Sequence, residues 1–200
     1  MTSTFTLDVI PETGKVFAGD LKRQLRVARE MFTSPLREMS LVLVNDRTMC
    51  DLHRRYMNDP TTTDVLTFPI DLDRRGRATA GEVYVCVPEA RRMSKEHGTR
   101  AADEVLLYAL HGMLHLAGFD DRTQPEFERM HRTEDRILTR LGVGPVFRPR
   151  ATFDGSPPRR QRHDRAPRLA AASTRRSAGK SPKRRVDAAA KRSRRDGARR

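Results

Sequence analysis

The apolar positions of this chain recur at two different periods. Thr4–Ile10 (TFTLDVI) alternates apolar and polar residues, which predicts a short strand closed by the turn at Pro11–Gly14. Leu21, Leu25, Ala28 and Phe32 then repeat at helical spacing, predicting a helix over 21–32 with Asp20 as its cap. Ser40–Val44 is a compact apolar strand. Asn45 or Asp46 offers a cap for a helix through Tyr56, which aligns Met49, Leu52 and Tyr56 on one face. Asn58–Thr63 is a polar loop, and Asp64–Ile70 (DVLTFPI) predicts a strand whose Pro69 suits an edge or an end. A charged connection over 71–80 leads to Glu82–Val87 (EVYVCV), the clearest strand of the chain.

Three helices are predicted after it. The first, 88–97, is ended by Gly98. The second is capped by Thr99, and its Val105–Ala117 stretch is apolar on nearly every side, as a buried central helix must be. Gly118 stops it. The third, 125–141, opens on a Thr123/Glu126 capping box and carries Phe127, Met130, Ile137, Leu138 and Leu141 as a core-facing stripe. Strands and helices mixed without regular alternation predict an α+β layer fold, a small mixed β-sheet packed with helices.

Composition divides the chain in two. Of its 200 residues, 40 are Lys or Arg and 26 are Asp or Glu, a formal charge of +14. Residues 148–200 hold 19 basic and 4 acidic residues, whereas 1–144 hold 21 and 22, so the positive charge belongs to the tail alone. Residues 144–200 are rich in Pro, Arg, Lys, Ala and Ser, with basic clusters at 182–185 (PKRR) and 191–195 (KRSRR). Such a segment buries too little apolar area to offset its chain entropy, so a disordered arm with affinity for polyanions is expected. The near-neutral body over 1–143 excludes a histone-like binder. No apolar run reaches the length of a membrane span, and the first ten residues lack a secretory pattern. Cys50 and Cys86 lie inside predicted elements and are expected to be buried free thiols of a cytoplasmic protein, not disulfide partners.

The chemistry is concentrated in 111–121, HGMLHLAGFDD. His111 and His115, four apart on a helix, present two imidazoles one turn apart on one face. Gly118 lets the chain reverse and bring Asp120 or Asp121 back toward them. Histidines at i and i+4, glycine at i+7 and a third ligand at i+10 form the skeleton of a metzincin zinc site. Here Gly112 stands where zinc proteases place their catalytic glutamate, and Asp121 stands in the third slot. Two histidines on an apolar helix are costly unless ligation or hydrogen bonding satisfies them. Asp120 could orient one of these histidines, or cap the helix that follows. His131 reads as a packed or surface residue, and His53, His97 and His163 have no constellation around them.

HGxLHLxG followed by an aromatic and Asp resembles the signature of the YbeY family of bacterial endoribonucleases and ribosomal RNA maturation factors. TDVLTFP (63–69), with Gly81–Glu82 ahead of a strand, resembles that family's second motif. The resemblance spans about residues 1–143 and leaves out the tail. It implies a single-strand-specific, metal-dependent endoribonuclease acting on small-subunit (16S) ribosomal RNA and in ribosome quality control. One zinc ion would be held by His111, His115 and Asp121, which would also be the catalytic residues. Family members normally carry histidine at the Asp121 position, and many carry a phosphate-handling arginine at the Met57 position. RNA contacts here would then fall to Arg54, Arg55, Thr62, Thr63 and the tail. A rival reading is a non-catalytic ribosome-assembly factor with a structural metal. Gly112 disfavours a metalloprotease.

Overall fold

The structure is a computed structural model that describes residues 4–146. The order of elements is β1 (Thr6–Pro11), a single 3-10 turn (Lys15–Phe17), α1 (Ala18–Arg29), β2 (Glu38–Val44), α2 (Asp46–Met57), β3 (Val65–Leu72), β4 (Ala78–Cys86), α3 (Val87–His97), α4 (Ala101–Leu116) and α5 (Gln124–Arg140). The four strands form one sheet in the order β1-β2-β4-β3. β1, β2 and β4 are parallel, and β3 is an antiparallel edge strand against β4. The chain is thus the expected α+β protein with a mixed sheet. The disordered tail expected over 144–200 lies, from residue 147 onward, outside the described residues.

Both faces of the sheet are covered, because the inner strands are apolar at successive positions and successive side chains point to opposite faces. Leu41 and Leu43 of β2 join the main core with Leu7, Val83, Val85 and the apolar face of α4. Val42 and Val44 join a second cluster with Met49, Leu66, Phe68 and Cys86, against which Tyr56 and Met57 of α2 pack. Met57 therefore does apolar packing at the position where many relatives are expected to carry arginine. Val146 is also buried in the main core.

α4 is the central helix, with every residue from Glu104 to Leu116 buried. Two glycines let it lie close on the sheet. A Cβ at Gly112 would meet Val83 Cγ1 at 2.5 Å, and one at Gly81 would meet Leu116 Cδ2 at 2.5 Å. Since Gly112 faces Val83 and Leu116 faces Gly81, α4 runs along β4 in the opposite sense to the strand.

Several local expectations change. Asp20 does not cap α1; the helix starts three residues earlier, at Ala18, out of the 3-10 turn that left-handed Gly14 (φ 62) introduces, and Asp20 pairs with Arg23 at 2.8 Å. Thr99 is not the cap of α4 either: Arg100 occupies that place, and the Thr99 hydroxyl donates to Oε1 of buried Glu104 at 2.6 Å. A buried carboxylate needs donors, and it recruits this one. The connection over 71–80 shrinks to a tight turn. Asp73 Oδ1 accepts from the backbone N–H of Arg75 and of Arg77, each at 2.9 Å, so β4 begins at Ala78. Cys86 is buried, whereas Cys50 is only half-buried. The Thr123/Glu126 capping box forms as expected.

Candidate metal centre

The two histidines of α4 meet at their Nε2 atoms, 2.9 Å apart, with ring planes 84° from parallel. Both side chains are almost fully buried. Gly118 takes a positive φ of 96° and reverses the chain just past the helix, where the N–H of Phe119 bonds to the carbonyl of Leu114 at 3.0 Å. That reversal returns Asp121. Its Oδ2 lies 3.9 Å from His111 Nε2 and its Oδ1 lies 3.9 Å from His115 Nε2. One ligand atom from each of His111, His115 and Asp121 falls within 4.8 Å of the others. Asp120 faces elsewhere: its Oδ1 accepts from the Asp121 N–H at 2.9 Å and lies 3.5 Å from Arg122 Nε. Of the two carboxylates left open by the sequence, Asp121 is the one brought to the histidines.

The far side of each imidazole is also held. His115 Nδ1 donates to the Phe119 carbonyl at 3.1 Å. His111 Nδ1 lies 2.6 Å from Oε1 of Glu134 on α5, and Oε2 of the same carboxylate lies 2.6 Å from His131 Nδ1. Glu134 has no exposed side-chain surface. Burial by itself would raise its pKa, but attraction to His111 and hydrogen bonds from His111 and His131 outweigh that and bring it down to about 2.

These contacts test whether a metal ion fits. A carbonyl or a carboxylate oxygen accepts only, so both Nδ1 atoms are the protonated ones. In neutral imidazoles both Nε2 atoms then carry lone pairs. Two lone pairs 2.9 Å apart repel unless a cation lies between them, either a proton or a metal ion. Two imidazoles and a carboxylate are a donor set that divalent transition metals accept, with tetrahedral ligands about 3.3 Å apart at ordinary bond lengths. The group could hold a metal ion.

Gly112 gains a structural reason as well. A side chain beside His111 on this helix would have to push its neighbours aside, because a Cβ at 112 would lie 2.5 Å from Val83 Cγ1 and 3.0 Å from the Thr67 hydroxyl.

The other residues singled out by the sequence make contacts of their own. Arg54 and Arg55 occupy the last turn of α2, with Arg54 paired to Asp51 at 3.3 Å and the Arg55 guanidinium 5.7 Å from the Tyr56 ring centre. Thr62 Oγ1 lies 3.7 Å from Cys86 Sγ at the carboxyl end of β4, and the Thr63 hydroxyl donates to Asp64. Buried Thr67, in the same segment, is the residue that approaches α4 beside His111. His53, given no partner by the sequence, is buried and donates from Nδ1 to the Thr61 carbonyl at 2.8 Å, tying down the loop before β3. His97 likewise lies 3.3 Å from Glu104.

Glu134, which holds His111 and His131, is the partner of this site that the sequence does not single out. The signal was present: positions 130, 134, 137, 138 and 141 form one stripe of α5, and a carboxylate among Met130, Ile137, Leu138 and Leu141 is costly without partners.

A mixed sheet beneath a buried helix that presents two imidazoles and a returning carboxylate defines a small α+β protein with a metal-type centre. The comparisons with known proteins give the same class a family. Residues 13–142 match the profile described as endoribonuclease YbeY. The endoribonuclease YbeY of Thermobifida fusca is 35% identical over 144 residues, covering 66% of this chain and 92% of the relative. That of Kineococcus radiotolerans is 38% identical over 130 residues, covering 62% and 75%. The solution structure of TM1509 from Thermotoga maritima shares the fold, with a TM-score of 0.50 at 24% identity over 68% of this chain and 92% of that one. The chain belongs to the YbeY endoribonuclease family.

Proposed function

We propose that this protein is a zinc-dependent, single-strand-specific endoribonuclease that acts in maturation of small-subunit (16S) ribosomal RNA and in ribosome quality control. The observation that carries the reading is the convergence of His111, His115 and Asp121 on one point at the end of the buried helix. These three residues would hold one zinc ion and form the catalytic centre. Bound there, the ion would supply Lewis acidity toward a phosphoryl oxygen and acidify a water.

The chain's own groups do the rest. The Phe119 carbonyl and Glu134 hold the Nδ1 protons and aim both Nε2 electron pairs at the same place. Asp121 adds one negative charge to a pair of neutral imidazoles. Gly112 removes the general base that zinc proteases carry, which turns the site away from the usual route of peptide hydrolysis. Arg54 and Arg55 at the end of α2, with Thr62 and Thr63 in the following loop, would contact the RNA. The basic tail would add sequence-independent phosphate affinity, as expected of clustered Arg and Lys. The work would be done in the cytoplasm on the small ribosomal subunit. Among the described residues no helix is long and apolar enough to cross a membrane.

The test is cleavage of single-stranded ribosomal RNA by the purified protein, with its metal content measured alongside. Cleavage that His115→Ala abolishes supports the reading. RNA binding without cleavage by the metal-loaded protein would instead favour an assembly factor with a structural metal.

A further inference from the structure

We propose that Glu134 is a positioning residue that locks His111 in the Nδ1-protonated tautomer and thereby sets the affinity of the centre for its metal. The inference rests on the metal reading above and deepens it.

Three features of the contact carry the argument. First, the carboxylate oxygen lies 2.6 Å from His111 Nδ1, a length at which a proton must lie between them. With Nδ1 unprotonated, two acceptors would face each other inside the core. The Nε2–H tautomer, which cannot ligate through Nε2, is therefore excluded while the contact stands. Second, the carboxylate cannot turn away, because its other oxygen lies 2.6 Å from His131 Nδ1. The His111 and His131 rings it joins lie 6.4 Å apart, centre to centre, with planes 22° from parallel. Third, Glu134 is fully buried among the apolar residues of α5, where an ionised group is expensive. A methionine or leucine at 134 would continue the stripe made by Met130, Ile137 and Leu138. His115 differs: its Nδ1 is held by the Phe119 carbonyl, a weaker and neutral acceptor from its own turn. The tautomer of His111 thus depends on a side chain 23 residues away on another helix.

A carboxylate behind an imidazole also makes that imidazole a better donor, and loss of such a partner typically weakens metal binding about 10- to 100-fold. The full-length protein tests this without RNA. Long-range nitrogen–proton spectra of the metal-free protein at neutral pH report the tautomer of His111, and competition with a chelator reports Zn2+ affinity. We expect the Nδ1–H form in the parent. Glu134→Gln, nearly isosteric, should bind Zn2+ about 10-fold or more weakly with little change in the melting temperature of the metal-free protein. Glu134→Leu, which removes both acceptors, should also show His111 populating the Nε2–H form. A parent His111 protonated at Nε2 alone, with Nδ1 bare, would overturn the proposal, and that measurement needs no variant to fold. Parent-like Zn2+ affinity in Glu134→Gln and Glu134→Leu would overturn it too. A parent that binds no Zn2+ would sink the metal reading instead, while the tautomer still decides the role of Glu134.

Discussion

Gly112 and Val83 are in direct contact across the helix–sheet interface: the backbone of one lies so close to the side chain of the other that a methyl group at 112 would approach Val83 Cγ1 to 2.5 Å. By helix propensity alone, Gly112→Ala would stabilise the protein by about 1 kcal/mol. Overpacking at a fully buried contact costs more, so we expect a net loss of about 1–3 kcal/mol in denaturant unfolding. Val83→Ala should relieve part of that loss when combined with Gly112→Ala, giving a favourable coupling in the double-mutant cycle. A more stable Gly112→Ala would show that the interface yields.

Asp121→Ala should lose metal, as His111→Ala and His115→Ala should. Asp121→His should retain it. Replacing the carboxylate by imidazole leaves more of the ion's charge uncompensated, so the rising limb of the pH–rate profile should move to lower pH. Elemental analysis of the purified variants checks the first expectation. Full zinc occupancy with unchanged activity in Asp121→Ala would remove Asp121 from the centre.

Val146 is buried in the main core, so a truncation that isolates the body should fall after it. The truncated protein should fold and keep its metal. Because the net positive charge lies beyond that point, its RNA affinity should fall and most of the salt dependence of binding should vanish. Equal slopes of log affinity against log salt for the two forms would refute the arm.

Arg54→Ala and Arg55→Ala should each lower the salt slope of RNA binding by about one, if each guanidinium meets a phosphate. Thr62→Ala and Thr63→Ala should reduce turnover of single-stranded RNA with little change in melting temperature. The Thr63 hydroxyl bonds only its neighbour Asp64 among the described contacts, and Thr62 Oγ1 makes a long 3.7 Å contact with Cys86 Sγ at the end of β4. Loss of stability without a separate effect on turnover would assign the threonines to the fold alone.

Hydrogen bonds from Arg92 to Asp46, opposed by burial and aided by the Cys86 thiol, hold the Asp46 carboxyl below the usual carboxylate range. A depressed folded-state pKa gives stability that is complete above the unfolded value near ~4 and disappears as pH falls through the folded one. Asp46→Asn should therefore be less stable than the parent at pH 6, with the gap narrowing below about pH 4. Urea unfolding at the two pH values measures it. A gap independent of pH would mean that packing, not charge, makes the difference.

Local pattern carried much of this protein into view. The apolar runs placed all four strands, since a strand's period of two and a helix's period of 3.6 are properties of neighbouring residues. The apolar circumference of 105–117 announced the buried helix, and four-residue spacing put His111 and His115 on one face of it. What each buried face meets was decided by tertiary packing. The apolar character of β2 said that both its sides are covered, not that Leu41 lies in the main core and Val42 in the cluster under α2. The i+10 spacing favours Asp121 over its neighbour Asp120, but it is the reversal at Gly118 that points one at Arg122 and the other at the imidazoles. Gly112 read as a missing glutamate, and only the approach of α4 to Val83 shows that a side chain there must displace its neighbours. Glu134 meets His111 because α5 packs on α4, a pairing across 23 residues that no periodicity encodes. Sequence period states which side of an element avoids water; the packing of elements against one another decides which polar groups meet inside.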